Sequence, residues 1–133
     1  MLRKLRAALT PRATSPADRM YWQWSRIDEY PYRHHTEAAD DIARYLERGE
    51  DGRAESLLLW CLDFAETEAH MEYFMDVPPV YYEQLADLYR ERESRTDEIW
   101  ILERYVEVTE EIGGRPRPRL VDRLNDVRAR DDV

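Results

Sequence analysis

The chain has 133 residues, 43% of them hydrophobic, and a chain of this size can bury a core without disulfide bonds or metals. Its single cysteine, Cys61, excludes an intramolecular disulfide and a multi-cysteine zinc cluster, and a formal net charge of −9 argues against a nucleic-acid partner. No apolar run approaches the roughly 20 residues of a membrane-spanning helix, so we expect a cytoplasmic protein without stable membrane insertion.

Arginine supplies almost all of the positive charge, because Lys4 is the only lysine among 20 basic residues. A carboxylate excess with few lysines resembles the composition of cytosolic proteins from salt-loving archaea, whose acidic surfaces stay hydrated in brine. A GC-rich genome, which favours arginine codons, is an equal explanation. Basic residues concentrate within 1–19 and 113–133, and we expect these ends mainly to pair with acidic groups of the chain itself.

The first predicted helix begins at the stretch SPAD, residues 15–18. This stretch combines a capping serine, a proline at the first helical position and an acid three residues after the cap. Met20, Trp24 and Ile27 then recur with helical spacing. We expect this helix to end at Pro31.

Five further helices are predicted, joined by short connections. A capping threonine, a Pro-Pro pair and a capping box precede three of them, and glycines follow two of them. They cover about residues 37–48, 53–70, 79–92, 95–112 and 118 onwards. The apolar arc of the helix over 53–70 is too wide for a helix with one neighbour, so we expect this helix to be central. Since no period-two strand is evident, we predict a basic N-terminal arm over 1–14 and a single all-α domain over 15–133, with about six helices in antiparallel hairpins.

Two of the predicted hairpins align with one another. An offset of 43 residues sets Ala43 on Ala86 and Leu46 on Tyr89. The helix from Tyr82 to Tyr89 resembles the first helix of a tetratricopeptide repeat in its spacing of aromatic, leucine, small residue and tyrosine. The resemblance implies a stack of helix hairpins whose groove binds a peptide or a partner protein. An offset above the tetratricopeptide period of about 34 residues lies closer to HEAT and armadillo repeats, and an irregular helical bundle is the alternative.

Aromatic residues cluster in two stretches, 19–37 and 71–82. Amphipathic rings suit a protein interface, so the main hypothesis is a non-catalytic interaction protein whose partner is a peptide, another protein or a second copy in a homodimer. Packing between helical layers is the simpler interpretation of the same residues. The predicted contact residues are Trp22, Tyr30, Tyr32, Tyr73, Phe74 and Tyr81.

A metal-binding helical protein or metal-dependent enzyme is the alternative function. His34 and His35 precede Glu37, Asp40 and Asp41, and imidazole and carboxylate groups together bind transition metals. The same acids in the first turn of a helix also interact favourably with its dipole, which explains them without a metal.

A second candidate metal set consists of Asp63, Glu66 and His70, which lie along one face of a predicted helix at i, i+3 and i+7. A solvated polar face is the simpler interpretation. Cys61 lies on the opposite, apolar arc, where a thiol behaves as a small hydrophobic side chain. The sequence contains no acyl-transfer triad, phosphate-binding loop or dinucleotide motif, so we predict no catalytic residue and no cofactor.

Overall fold

Helices form the regular structure of residues 26–71 and 76–131, the part of the chain that the computed structural model describes. No β-strand occurs among these residues, which confirms the predicted all-α fold class. The α-helices are α1 (Ala39–Glu47), α2 (Asp51–Met71), α3 (Pro79–Glu91), α4 (Arg95–Glu111) and α5 (Pro118–Asp131), and two 3-10 turns cover Ile27–Glu29 and His35–Ala38.

The first predicted helix is described only at its C-terminal end. Ile27–Glu29 form a single 3-10 turn, and Tyr30 has extended backbone angles of φ −127° and ψ 154°. The α-helix predicted as far as Pro31 therefore does not extend over these residues. Positions 15–25 of that helix and the predicted arm over 1–14 lie outside the described residues.

The turns between α1 and α2 and between α3 and α4 have the same hydrogen-bond pattern. The N–H of Glu50 donates to the carbonyl of Tyr45, and the N–H of Ser94 donates to the carbonyl of Tyr89, each at 2.8 Å. Such bonds pair the last carbonyl groups of a helix with the chain that leaves it. The equivalent residues of the two turns are thus 44 positions apart in the sequence.

The two turns align at an offset of 44 residues, one more than the predicted offset of 43. Ala43 is exposed, whereas Ala86 is buried, so these two residues are not equivalent. The buried Ile42 corresponds to Ala86 instead. Hydrophobic spacing alone set Ala43 on Ala86, and it could not separate this choice from Ile42 because Ala43 and Ile42 are adjacent apolar residues. The tetratricopeptide resemblance itself stays a prediction.

Helix α2 lies at the centre of the fold, as its wide apolar arc predicts. It packs against both 3-10 turns, against α1 and against α3. Helix α4 packs against α3, and α5 packs against α4. Leu57, Leu58 and Leu62 of α2 are completely buried, and each such side chain contributes about 1.5–3 kcal/mol to the free energy of folding. No helix in the described ranges combines the length and the apolar composition needed to cross a membrane.

Ion pairs join the basic C-terminal helix α5 to the acidic helices before it. Arg123 donates to Asp87 of α3 at 2.8 Å, and Arg128 donates to Glu103 of α4 at 2.7 Å. Arg123 also contacts the buried carboxylate of Glu98 at 3.2 Å. The expected pairing of the basic end with the chain's own acidic groups is therefore confirmed for α5.

Candidate metal centre

His35 begins the 3-10 turn that leads into α1, and the adjacent His34 is its capping residue. The carboxylate of Glu37 accepts hydrogen bonds from the backbone N–H groups of Arg33 at 2.6 Å and His34 at 3.2 Å, which fixes the entry to the turn. His34 caps this 3-10 turn. Helix α1 itself follows Ala38 without a side-chain cap, so Thr36, the threonine predicted to cap that helix, does not do so. A side chain that satisfies unpaired N–H groups at the start of a turn stabilises it. Both imidazoles therefore project from a locally ordered segment.

A carboxylate from α2 meets both imidazoles. The Oε2 atom of Glu68 is 2.8 Å from Nε2 of His34, and its Oε1 atom is 3.4 Å from Nε2 of His35. One potential ligand atom from each of the three residues lies within 4.8 Å of the others. Two imidazole nitrogens and a carboxylate oxygen form a ligand set typical of divalent transition metals.

Burial favours the neutral, metal-binding form of His35. Its side chain is only 6% exposed, and burial is the largest effect that lowers the pKa of His35 below its ordinary value of 6.5, followed by the nearby His34. Glu68 acts in the opposite direction on this pKa. Since an imidazole binds metal through an unprotonated nitrogen, a lowered pKa keeps His35 available at neutral pH.

Aromatic packing holds the two rings in place. The ring of Phe64 meets both imidazoles edge-on, with centroid distances of 5.2 Å to His34 and 5.6 Å to His35. The second nitrogens of the imidazoles also have partners, because Nδ1 of His34 is 2.9 Å from Oγ1 of Thr36 and Nδ1 of His35 is 2.6 Å from Oη of Tyr81. Partners of this kind orient the ligating histidines in known metal sites.

The predicted acidic ligands from the start of α1 are used elsewhere. Glu37 holds the turn, Asp40 is exposed, and Asp41 accepts hydrogen bonds from Tyr32 and Arg44. Within the described part of the chain, the group that satisfies the geometric conditions for a metal site contains Glu68 instead. Sequence reasoning missed Glu68 because residues 34 positions apart meet only through the tertiary fold.

The polar strip predicted to face solvent on α2 is buried. Asp63 is 3% exposed and Glu66 is 0% exposed. Arg104 of α4 donates to both carboxylates, to Asp63 at 2.7 Å and to Glu66 at 2.9 and 3.0 Å. Each carboxylate has one further donor: Arg26 donates to Asp63 at 2.8 Å, and Tyr82 donates to Glu66 at 2.6 Å. Buried carboxylates require such compensation. Guanidinium groups thus occupy the positions next to these carboxylates that a metal cation would need.

His70, the third member of that predicted set, does not join the two carboxylates. Its Nδ1 donates to the backbone carbonyl of Glu66 at 2.7 Å, and its Nε2 is 3.5 Å from Oε2 of Glu111. The helical spacing was correct, but the side chain turns back along its own helix. This leaves His34 and His35 as the predicted metal ligands that the fold brings together.

The described residues of the predicted aromatic surface pack against the protein itself. Tyr30 and Tyr32 contact the ring of Trp60 with centroid distances of 5.5 and 5.7 Å. Tyr81 is 8% exposed, which leaves its ring little area for a partner. The remaining residues lie outside the described part of the chain: Trp22, Tyr73 and Phe74. A partner-binding role stays a prediction for all six of these residues.

Comparison with known proteins adds no relative. A scan against protein-family models, a search of curated proteins and a search of solved structures each return no match to this chain. The cluster of His34, His35 and Glu68 is therefore the feature from which a function can be argued.

Proposed function

We propose that this chain is a helical protein that binds one divalent transition-metal ion, with zinc as the reference metal. The ligands are Nε2 of His34, Nε2 of His35 and the carboxylate of Glu68. The observation that carries this proposal is that one potential ligand atom from each residue lies within 4.8 Å of the others, with Nε2 of each histidine beside the carboxylate of Glu68. It places two of the chain's 3 histidines beside a carboxylate from a different helix.

The observed distances fit a small rearrangement around a metal ion. Ligand atoms about 2.0–2.2 Å from a tetrahedral zinc ion lie roughly 3.4 Å from one another. Nε2 of His35 already has this separation from Oε1 of Glu68, at 3.4 Å. Nε2 of His34 lies 2.8 Å from the other oxygen, Oε2, and would move away from it by roughly 0.6 Å. Side-chain rotation of the partly exposed His34 can supply this movement. Its ring proton must then lie on Nδ1, which donates to Oγ1 of Thr36 at 2.9 Å and gives up the longer contact of 3.4 Å in which it accepts from the N–H of Thr36.

The proposed centre is open on one side. The side chains of His34 and Glu68 are 37% and 24% exposed, while His35 is buried. Zinc sites with three protein ligands keep a fourth position for water or for a substrate oxygen, whereas structural sites are closed by four protein ligands. The arrangement therefore supports a metal ion with an exchangeable ligand rather than a purely structural zinc.

Zinc titration of tag-free, chelator-treated protein tests this proposal. We expect one zinc ion per chain in competition with a chromophoric chelator. His34→Gln and Glu68→Gln should each weaken binding by more than about 100-fold, since loss of a ligand exceeds the 10–100-fold cost of losing an outer partner. His70→Gln is the matched control, because His70 lies outside the centre. Equal zinc binding by the wild type and both ligand variants would refute the proposal.

A further inference from the structure

The hydroxyl group of Tyr81 lies between the buried imidazole of His35 and the only thiol of the chain. Its Oη is 2.6 Å from Nδ1 of His35, and burial together with the neighbouring Cys61 thiol raises the pKa of Tyr81, so the Tyr81 hydroxyl also lies beside this thiol. The thiol of Cys61 in turn donates to the backbone carbonyl of His35, with an Sγ to O distance of 3.7 Å. All three residues are less than 9% exposed, so these groups depend on one another for partners.

A phenol hydroxyl can either donate to an imidazole nitrogen or accept from it. When Nε2 of His35 carries the ring proton, this N–H faces Glu68, and Nδ1 must accept the hydrogen of Tyr81. When Nε2 binds a metal, the ring proton must lie on Nδ1, which then donates to Oη of Tyr81. The hydrogen of Tyr81 then turns to Sγ of Cys61.

Both arrangements satisfy every buried polar group of this cluster. In the change from the first arrangement to the second, Nε2 releases one proton to water and Nδ1 takes up one proton from water. The imidazole therefore stays neutral. The thiol keeps its hydrogen in both arrangements and donates it to the backbone carbonyl of His35, which leaves a sulfur lone pair to accept from Tyr81. Its sulfur therefore acts as an acceptor for Tyr81 and not as a metal ligand.

We infer, resting on the proposed metal-binding function, that Tyr81 is a positioning residue of the centre. Its hydroxyl oxygen accepts a hydrogen bond from the Nδ1–H of His35, and its own hydrogen points to Sγ of Cys61. With the ring proton on Nδ1, the lone pair of Nε2 faces the metal. Hydrogen bonds of this kind to ligating histidines fix the tautomer and raise the affinity for metal. Tyr81 does not contact the metal itself.

Tyr81→Phe tests the inference with little change in packing. The rings of Tyr81 and His35 meet edge-to-face at 5.3 Å, and phenylalanine preserves that contact. The matched control is Tyr89→Phe, which also removes a buried hydroxyl, one that donates to Glu55 at 2.8 Å away from the centre. Zinc affinity should fall about 10–100-fold in Tyr81→Phe and should be unchanged in Tyr89→Phe.

Two further readouts separate positioning from stability. Nitrogen-15 NMR of the zinc-bound wild type should show His35 protonated at Nδ1 with slow proton exchange, and this exchange should become faster in Tyr81→Phe. Substitution at Cys61 gives a second route that leaves Tyr81 in place. Cys61→Ala removes the acceptor for the Tyr81 hydroxyl and should weaken zinc binding, whereas Cys61→Ser restores an acceptor and should recover most of the affinity.

The possible outcomes distinguish the inference from the proposed function. Wild-type zinc affinity in Tyr81→Phe and in Cys61→Ala would overturn the role of Tyr81 while leaving the metal centre intact. An equal loss in Tyr81→Phe and Tyr89→Phe would also overturn it, because general destabilisation would then explain the effect. If the wild type itself bound no zinc, the proposed function would fail and the inference with it.

Discussion

Arg104 of α4 donates two hydrogen bonds to the carboxylate of Glu66 in α2, from Nε at 3.0 Å and from Nη2 at 2.9 Å. The side chain of Arg104 is 6% exposed and that of Glu66 is fully buried. The electrostatic attraction of its carboxylate partners holds the pKa of Arg104 above its ordinary value even though burial acts to lower it. Two helices that are not neighbours in the sequence are thus joined by charges inside the protein.

Removal of the guanidinium should strongly destabilise the fold. Arg104→Met leaves Asp63 and Glu66 buried without their shared cation, and breaking a buried pair in this way costs about 3–5 kcal/mol. Urea denaturation in the presence of a chelator measures the free energy of unfolding. Arg128→Met is the control, since Arg128 is 49% exposed beside Glu103 and should lose less than about 1 kcal/mol. Similar losses in both variants would contradict this account of α2 and α4.

Glu93 has an unfavourable backbone conformation at the turn between α3 and α4. Its φ is 56°, and among the described residues it is the non-glycine residue with a positive φ. The ends of α1 and α4 have glycine in this conformation, Gly49 with φ 70° and Gly113 with φ 82°. Left-handed conformation costs an L-residue about 1–2 kcal/mol. Glycine avoids this cost but loses more conformational entropy on folding, which offsets part of the gain. Glu93→Gly should therefore stabilise the protein by about 0.5–1 kcal/mol.

Gly49→Ala provides the reciprocal test of this turn geometry. No heavy atom lies within 4 Å of a Cβ placed on Gly49, so the substitution changes backbone strain without a clash. It should lower the free energy of unfolding by about 1 kcal/mol. Thermal unfolding of both variants gives the comparison. A destabilised Glu93→Gly or a neutral Gly49→Ala would mean that the two turns differ in their requirements.

The lowered pKa of His35 makes stability depend on pH in a defined direction. In the unfolded chain this imidazole has its ordinary pKa of 6.5, so as the pH falls through 6.5 the unfolded state takes up a proton before the folded state does. The free energy of unfolding of the metal-free protein should therefore decrease on acidification from pH 7 towards pH 5.5. The slope should be smaller in His35→Gln, and an unchanged slope would contradict the burial of a neutral His35 beside His34 and Glu68.

Zinc should stabilise the segment that carries the histidines more than the rest of the protein. The metal would connect the turn His35–Ala38 to α2, so its amide protons should exchange more slowly when zinc is added. Saturation at about 100 times the dissociation constant should also add about 2.7 kcal/mol to the free energy of unfolding. Hydrogen exchange with and without a chelator measures the first effect. Protection confined to α4 and α5 would place the metal elsewhere.

The sequence was sufficient for the fold class and for most helix boundaries because these depend on local signals. Pro79 begins α3, as predicted, and Pro118 begins α5. The central position of α2 followed from an apolar arc too wide for one neighbour. Each of these features is encoded within a few turns of helix, where periodicity and capping residues are visible in one stretch of chain.

Two of the three residues of the candidate metal centre were predicted, and the third was missed for the opposite reason. His34 and His35 are adjacent in sequence, but Glu68 reaches them from a separate helix, and no spacing rule connects residues so far apart. Asp63 and Glu66 were expected to face solvent because Arg104, the buried cation that pairs with both, is also far from them in the sequence. Local polarity predicts exposure only where no remote partner compensates for burial.

The most direct test of the proposed metal centre is anomalous diffraction from crystals of the tag-free protein grown with zinc, with data collected on both sides of the zinc absorption edge. We predict one strong peak per chain, about 2.0–2.2 Å from Nε2 of His34, Nε2 of His35 and a carboxylate oxygen of Glu68. A strongest peak at any other position, or no peak between these three residues in crystals that contain zinc, would contradict the account.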